Sequence, residues 1–141
     1  MKTIVYFLLF GSLLFASNFE RNETDQTVTD KTRHIIWQDQ KFNATQKMSF
    51  KNAISYCSTL KFGQLSSWRL PSGSELSSLI DDSRTPTIDI NFKHAADGAY
   101  WADSNDHSSK GLIWIDFSSG EMNKGSGVDR YLFIRCVHDK R

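Results

Sequence analysis

Ser49-Phe50-Lys51-Asn52-Ala53-Ile54-Ser55-Tyr56-Cys57-Ser58-Thr59-Leu60 is the stretch on which the fold turns. The Ser49 hydroxyl can accept a hydrogen bond from the free amides of a first helical turn. Phe50, Ala53, Ile54, Cys57 and Leu60 then recur on one face of a 3.6-residue period. The spacing predicts a helix that starts near Ser49, stops at Gly63, and turns Cys57 inward. The second cysteine, Cys136, lies in Arg130–Val137. There Leu132, Ile134 and Cys136 alternate with Tyr131, Phe133 and Val137, which predicts a closing strand with Cys136 facing the core. Two cysteines in an exported chain are read first as a disulfide, so a Cys57–Cys136 bond is expected.

Between these two ends the signals are local. His34–Asp39 reads as a strand, with Ile35, Ile36 and Trp37 as its apolar centre. Gln40–Lys47 reads as a polar loop. Trp68-Arg69-Leu70-Pro71 is a short extended stretch. Ser72-x-x-Glu75 is a capping box that starts a second helix. Leu76, Leu79 and Ile80 form its apolar face, and Pro86 forbids continuation beyond Arg84. Residues 87–98 read as irregular, with Ile88, Ile90 and Phe92 tucked toward the core. Ala99–Ala102 is a short aromatic strand. Gly111–Phe117 is apolar enough to be a strand covered on both faces. Ser118-Ser119-Gly120 is turn chemistry, Glu121–Asn123 the returning arm, and Lys124–Asp129 a Gly/Ser loop. The expected fold is α+β: two helices plus a mostly antiparallel sheet, with one helix-to-last-strand disulfide.

Residues 1–16 have the pattern of an export signal. Lys2 precedes an apolar run from Ile4 to Phe15, and Ala16 offers a small residue for cleavage. The run is shorter than the ~20 residues a membrane span needs. Residues 17–27 are polar and read as a disordered lead-in, 28–138 as the domain, and 139–141 as a tail. The lead-in contains Glu20-Arg21-Asn22-Glu23-Thr24, an Asn-x-Thr acceptor with an acid two places upstream. The 141 residues carry 17 Lys and Arg against 16 Asp and Glu. Loss of Lys2 with the leader brings this close to balance. Such a chain has no global field for nucleic acid or an anionic membrane.

No catalytic constellation is present. Gly-x-Ser-x-Gly, a phosphate loop and Cys-x-x-Cys are missing, and Asp81-Asp82 are neighbours that do not face each other on a helix. His34, His94, His107 and His138 lack metal-ligand spacing. Asp103, Asn105, Asp106 and His107 form a donor-rich loop, but not with EF-hand spacing. Neither a metal nor a cofactor is expected. Trp37, Trp68 and Trp114 read as core residues, while Trp101, beside a polar loop, is the tryptophan expected to be exposed for stacking on sugar. Arg69 and Glu75 read as a semi-buried ion pair, and Arg135 as a partly buried cation paired with an acid, Asp116 being one candidate; contact with an anion is the alternative. Lys110, Lys124 and Arg130 read as a small cationic patch. The expected ligand site gathers Trp101, the 103–110 loop with Asp103 and Asp106, and the 124–130 loop.

The Asp30–Asp39 segment, the Ala53–Cys57 helix, Trp68-Arg69-Leu70-Pro71, Glu75-Leu76, Tyr100-Trp101, Trp114-x-Asp116-Phe117-x-x-Gly120 and Arg135-Cys136-Val137 occur in an order that resembles the Lcl C-terminal domain family. That family takes its name from the C-terminal domain of the Legionella collagen-like adhesin. The resemblance covers roughly residues 28–138 and marks Trp37, Asp39, Trp68, Arg69, Leu70, Pro71, Glu75, Trp101, Trp114, Asp116 and Arg135 as motif positions with mainly structural roles. It implies a fold remotely like C-type lectins, an exported or surface protein, and binding of sulfated glycosaminoglycans as in the adhesin, where the domain is trimeric. Two departures stand out: no collagen-like repeat precedes the domain, and Tyr100-Trp101 is followed by Ala102-Asp103 where the family pattern has serine. Arg69-Leu70-Pro71 with Glu75 is also similar to a stretch of formylglycine-generating enzymes, but their activity needs free redox cysteines. The expectation is therefore a periplasmic or secreted, non-enzymatic binding module for carbohydrate or an anionic glycan. The alternative is a protein-interaction or structural domain of the cell envelope.

Overall fold

The helix starts are set by their caps. In a computed structural model, which describes residues 17–105, 107, 108 and 110–140, the Ser49 hydroxyl accepts from the Asn52 amide at 3.3 Å. The proposed leader, residues 1–16, lies outside the described residues. Ser72 and Glu75 form the reciprocal capping box, with Ser72 N to Glu75 Oε1 at 2.8 Å and Glu75 N to Ser72 Oγ at 3.1 Å. These caps open α2 (Phe50–Thr59) and α3 (Gly73–Ser77). A third helix, α1 (Phe42–Thr45), occupies the expected polar loop. Asn43 explains it: its amide oxygen takes the Gln40 N–H at 2.8 Å and its Nδ2 donates to Ile134 O at 2.9 Å. The helix stops also differ from expectation. α2 ends at Thr59, and Gly63, at φ +59°, belongs to the tight turn after it. α3 ends at Ser77, well ahead of Pro86.

Among the described residues, ten short strands form two five-stranded sheets. The first has the order β1 (Phe19–Asn22), β2 (Thr27–Asp30), β3 (Ile35–Gln38), β10 (Val137–Asp139) and β5 (Trp68–Arg69), all antiparallel. The second has the order β4 (Lys47–Met48), β9 (Leu132–Phe133), β6 (Ala99–Ala102), β7 (Leu112–Asp116) and β8 (Glu121–Gly125). Only the β6–β9 pairing is parallel. The architecture is α+β.

The expected disordered lead-in is instead half of a hairpin. Phe19–Asn22 pairs in register with Thr27–Asp30, and Phe19 is buried edge-on against Phe92, with ring centroids 5.6 Å apart. One aromatic anchor in an otherwise polar stretch carries no periodicity, so composition alone hid this strand. The returning arm after Gly120 is longer than expected and takes Lys124 into β8.

The single closing strand is really two. β9 belongs to the second sheet and β10 to the first, and Ile134-Arg135-Cys136 carries the chain across. The alternation nevertheless survives. Leu132, Ile134 and Cys136 face one core cluster with Phe50, Ala53, Cys57, Trp68 and Trp101. Phe133 and Val137 face the other, with Trp37, Leu76, Tyr100 and Phe117. Cys57 and Cys136 are bonded, with Cα atoms 5.6 Å apart and a sequence separation of 79. The bond runs from the last turn of α2 to this crossing segment, not to a strand. Of the 87–98 apolar residues, Ile88 and Phe92 are buried, whereas Ile90 is 66% exposed.

Candidate functional site

Most motif positions hold the fold. Trp37 is fully buried against Phe92, and Trp68 is buried with its Nε1 donating to Leu65 O at 3.2 Å. Arg69 forks onto Glu75, Nη1–Oε1 2.8 Å and Nη2–Oε2 2.9 Å, and reaches Asp139 at 2.8 Å. The Arg69 guanidinium beside Glu75 outweighs burial and holds the Glu75 carboxyl below its usual range. Leu70 and Pro71 are buried, and Pro71 O accepts the Asp103 amide at 2.7 Å. Asp116 shapes the β7–β8 turn, its Oδ1 taking Ser118 N at 2.9 Å and Ser118 Oγ at 2.6 Å.

Arg135 does not pair with Asp116. Its Nη1 donates to Asp39 Oδ1 at 2.8 Å and Gln38 O at 2.6 Å, and its Nη2 to His94 O at 2.6 Å. Asp116 is committed to its turn, whereas Asp39 lies beside the crossing segment. Asp39, the residue just after β3, also accepts from Arg21 and from the amides of Lys93 (2.9 Å) and His94 (3.1 Å). Burial pushes the Asp39 carboxyl up, but the Arg135 charge and these hydrogen bonds overcome it and leave the group below its usual range.

Trp101 is a correction. It has no exposed surface, its Nε1 donates to Met48 O at 2.8 Å, and Phe50 and Trp114 pack edge-on against it. A tryptophan on an inner strand of the second sheet, between β9 and β7, is covered from both sides. The partly exposed tryptophan is Trp114, with the Arg130 guanidinium 4.6 Å above its ring.

The expected cationic patch is split. Lys124 sits opposite Ile113 in the β7–β8 ladder, while Trp114 sits opposite Asn123. Side chains alternate across a strand, so Lys124 and the Arg130–Trp114 pair lie on opposite faces of this hairpin. Lys110 is exposed in the preceding turn. Asp103 engages His107 Nε2 at 2.7 Å. Asp106 lies outside the described residues.

The loops do converge, though around different residues. A cleft of about 360 Å³ is lined by Ser49, Phe50, Lys51, His107, Leu112, Gly127 and Val128. The first turn of α2 supplies one wall, His107 a second, and Gly127-Val128 a third. The buried Phe50 and Leu112 provide the apolar base, and the His107 ring meets Phe50 edge-on at 5.5 Å. Gly127 is forced by space: a Cβ there would stand 2.8 Å from both Leu112 Cδ1 and Trp101 Cη2. Trp101 is thus part of the support beneath the cleft and not a contact surface. A second hollow, of about 320 Å³, continues over Phe50, Lys51, Ile54, Ser55 and His107.

Gly127 and Val128 fall in the expected 124–130 loop, and His107 in the 103–110 loop, but Phe50, Lys51 and Leu112 were not legible as part of a site. Phe50 and Leu112 carry the pattern of core residues and Lys51 that of a helix surface; no local spacing joins them. Among the described residues, no group of three His, Cys, Asp or Glu side chains is placed to hold a metal, and no helix is long and apolar enough to cross a membrane.

A search of curated proteins finds no match to the chain. The family model of the Lcl C-terminal domain matches residues 26–138. That span runs from the turn before β2 to the middle of β10 and takes in the second sheet, the first sheet apart from β1, helices α1 to α3 and the disulfide. The chain therefore belongs to the Lcl C-terminal domain family.

Proposed function

We propose that this chain is an exported, non-enzymatic binding module that takes an anionic glycan unit in the cleft between α2, His107 and Gly127-Val128. The observation that carries this reading is the cleft's composition. Its apolar base of Phe50 and Leu112 suits the C–H face of a pyranose. Lys51, His107 and Ser49 at the rim supply donors for sulfate, carboxylate or hydroxyl groups. Arg130 on Trp114 adds a cation on a flat aromatic support. The disulfide supports export, since such bonds persist in oxidising compartments. The helix-anchored bond and two-sheet arrangement also support the proposal of a distant C-type-lectin-like architecture.

The test is retention of the leaderless chain on immobilised heparin and on a glycan array. Retention at low salt that falls as salt rises is expected, since charge contacts are screened. Lys51→Ala and Arg130→Ala should elute earlier. Absence of retention at low salt on both supports overturns the reading.

A second reading, a protein-interaction or structural domain of the envelope, draws on Val128 and Tyr131, which are 61% and 65% exposed on one short loop. Tyr131→Asp, with glycan retention unchanged and binding to an envelope protein lost, would favour it.

A further inference from the structure

Glu20-Arg21-Asn22-Glu23-Thr24 straddles the end of β1 and the turn into β2. Alternation along β1 sorts these side chains. Phe19 is buried and the Arg21 side chain, only 8% exposed, turns in to Asp39. Glu20 and Asn22 therefore point outward together, and both are exposed, as is Thr24 just beyond them. β1 is an edge strand, hydrogen-bonded only to β2. Among the described residues, the Asn22 carboxamide hydrogen-bonds only within its own turn: Oδ1 accepts the Asp25 amide at 3.0 Å and Nδ2 meets Asp25 Oδ2 at 3.2 Å, both at the surface. The Glu20 carboxylate has one loose neighbour, Lys31 Nζ at 3.8 Å.

The chain holds a second Asn-x-Thr, at Asn43-Ala44-Thr45, and it is the opposite in every respect. Asn43 has no exposed surface and its Nδ2 is spent on Ile134 O. The residue two places before it is Lys41, a cation. One acceptor tripeptide is thus built into the core and the other is displayed, with a carboxylate at the −2 position on the same outward face.

We propose that Asn22 is an N-glycosylation site, modified by a transferase that reads the Glu20 carboxylate as well as the Asn-x-Thr tripeptide. The proposal rests on the export reading for its setting in the cell, though not for its geometry. The donor is an oligosaccharide linked through a diphosphate to a polyprenyl lipid. Asn22 Nδ2 attacks the anomeric carbon, the C1–O bond to the diphosphate breaks, and a C1–N bond forms. The lipid diphosphate departs with the bonding pair, and the Nδ2 proton passes to a base of the transferase. Asn22 lies on β1, which precedes the span matched by the family model. A glycan there would also cover an unpaired strand edge, which is otherwise open to pairing with another chain.

The test uses the purified, disulfide-bonded chain fused to a reference acceptor peptide. It is incubated with a bacterial oligosaccharyltransferase of acid-dependent specificity and a defined lipid-linked oligosaccharide, and read by intact mass and glycopeptide sequencing. Two oligosaccharide increments are expected, one on the peptide and one on Asn22. Asn22→Gln and Thr24→Val should each lose the second increment, Glu20→Gln should lose it too, and Asn43→Gln should keep it. A single increment on the reference peptide, or an unchanged second increment in Asn22→Gln or Glu20→Gln, overturns the proposal. Expression of the same fusion with its own first 16 residues in transferase-bearing cells tests export separately. A reference peptide left unmodified there refutes export, while the purified reaction still decides the site.

Discussion

Arg135 Nη1 donates to Asp39 Oδ1 at 2.8 Å, and neither side chain has any exposed surface. The two residues stand 96 positions apart in the chain. The bond lies where the backbone leaves the second sheet for the first. Gln38 supports the same crossing, its amide donating to Cys136 O at 3.0 Å while its side-chain oxygen takes Cys136 N at 3.2 Å. Arg135 also sits over Phe92 and Tyr100, 5.0 and 5.6 Å from their centroids. A charge buried this deeply is tolerable because both terminal nitrogens of the guanidinium meet fixed acceptors.

Asp39→Ala strands the Arg135 charge in the core. Breaking a buried pair from one side costs about 3–5 kcal/mol. Urea unfolding of the oxidised chain should show that loss, and a change within error would refute the role given to the pair.

The same carboxylate makes stability pH-dependent. Asp39 and Glu75 both titrate below their usual ranges when folded. A depressed folded value means the unfolded chain binds the proton more readily. The stabilisation is then fully present above the unfolded pKa values of about 4 and is lost as pH falls through the lower folded values. The urea midpoint should hold near neutrality and drop below about pH 4. Asp39→Asn should flatten part of that drop, and a wild-type profile level to pH 2 would contradict the assignment.

Replacing both Cys57 and Cys136 with alanine removes a cross-link spanning 79 residues. The chain-entropy account values such a link at about 4–5 kcal/mol. Thermal unfolding of the double variant against the oxidised parent measures this, and equal midpoints would show the bond to be dispensable.

Trp101→Ala and Lys51→Ala should separate support from contact. Truncating the buried Trp101 costs about 3–5 kcal/mol. Lys51 is exposed, so its truncation should leave the unfolding midpoint nearly unchanged while advancing elution from heparin. If Lys51→Ala elutes with the parent, the cleft is not the glycan contact.

Gly127→Ala drives a methyl into Leu112 and Trp101. Overpacking of this kind costs about 1–3 kcal/mol. Retention should weaken alongside stability, because the cleft wall must shift. An alanine variant that matches the parent in both would remove Gly127 from the account.

The signals that were readable along the chain are those that act over a few residues. Ser49 and Ser72 opened their helices because a hydroxyl satisfies amides one turn ahead, wherever the helix later docks. Alternation in residues 132–137 correctly assigned Leu132, Ile134 and Cys136 to one core cluster, because side-chain direction is a property of extended backbone even where the ladder breaks. The sulfur-to-sulfur bond followed from that facing.

What the tertiary structure decided is where energy depends on partners remote in sequence. Only the folded chain selects Asp39 over Asp116 for Arg135, since burial makes the nearest remote carboxylate the required one. Only sheet order determines that Trp101 is covered while Trp114 meets Arg130. Phe19 turned a polar lead-in into an edge strand by docking on Phe92, a contact across 73 residues that no local pattern encodes. The cleft is of the same kind: its walls come from three separate segments, and its shape exists only once Gly127 lies against Trp101 and Leu112.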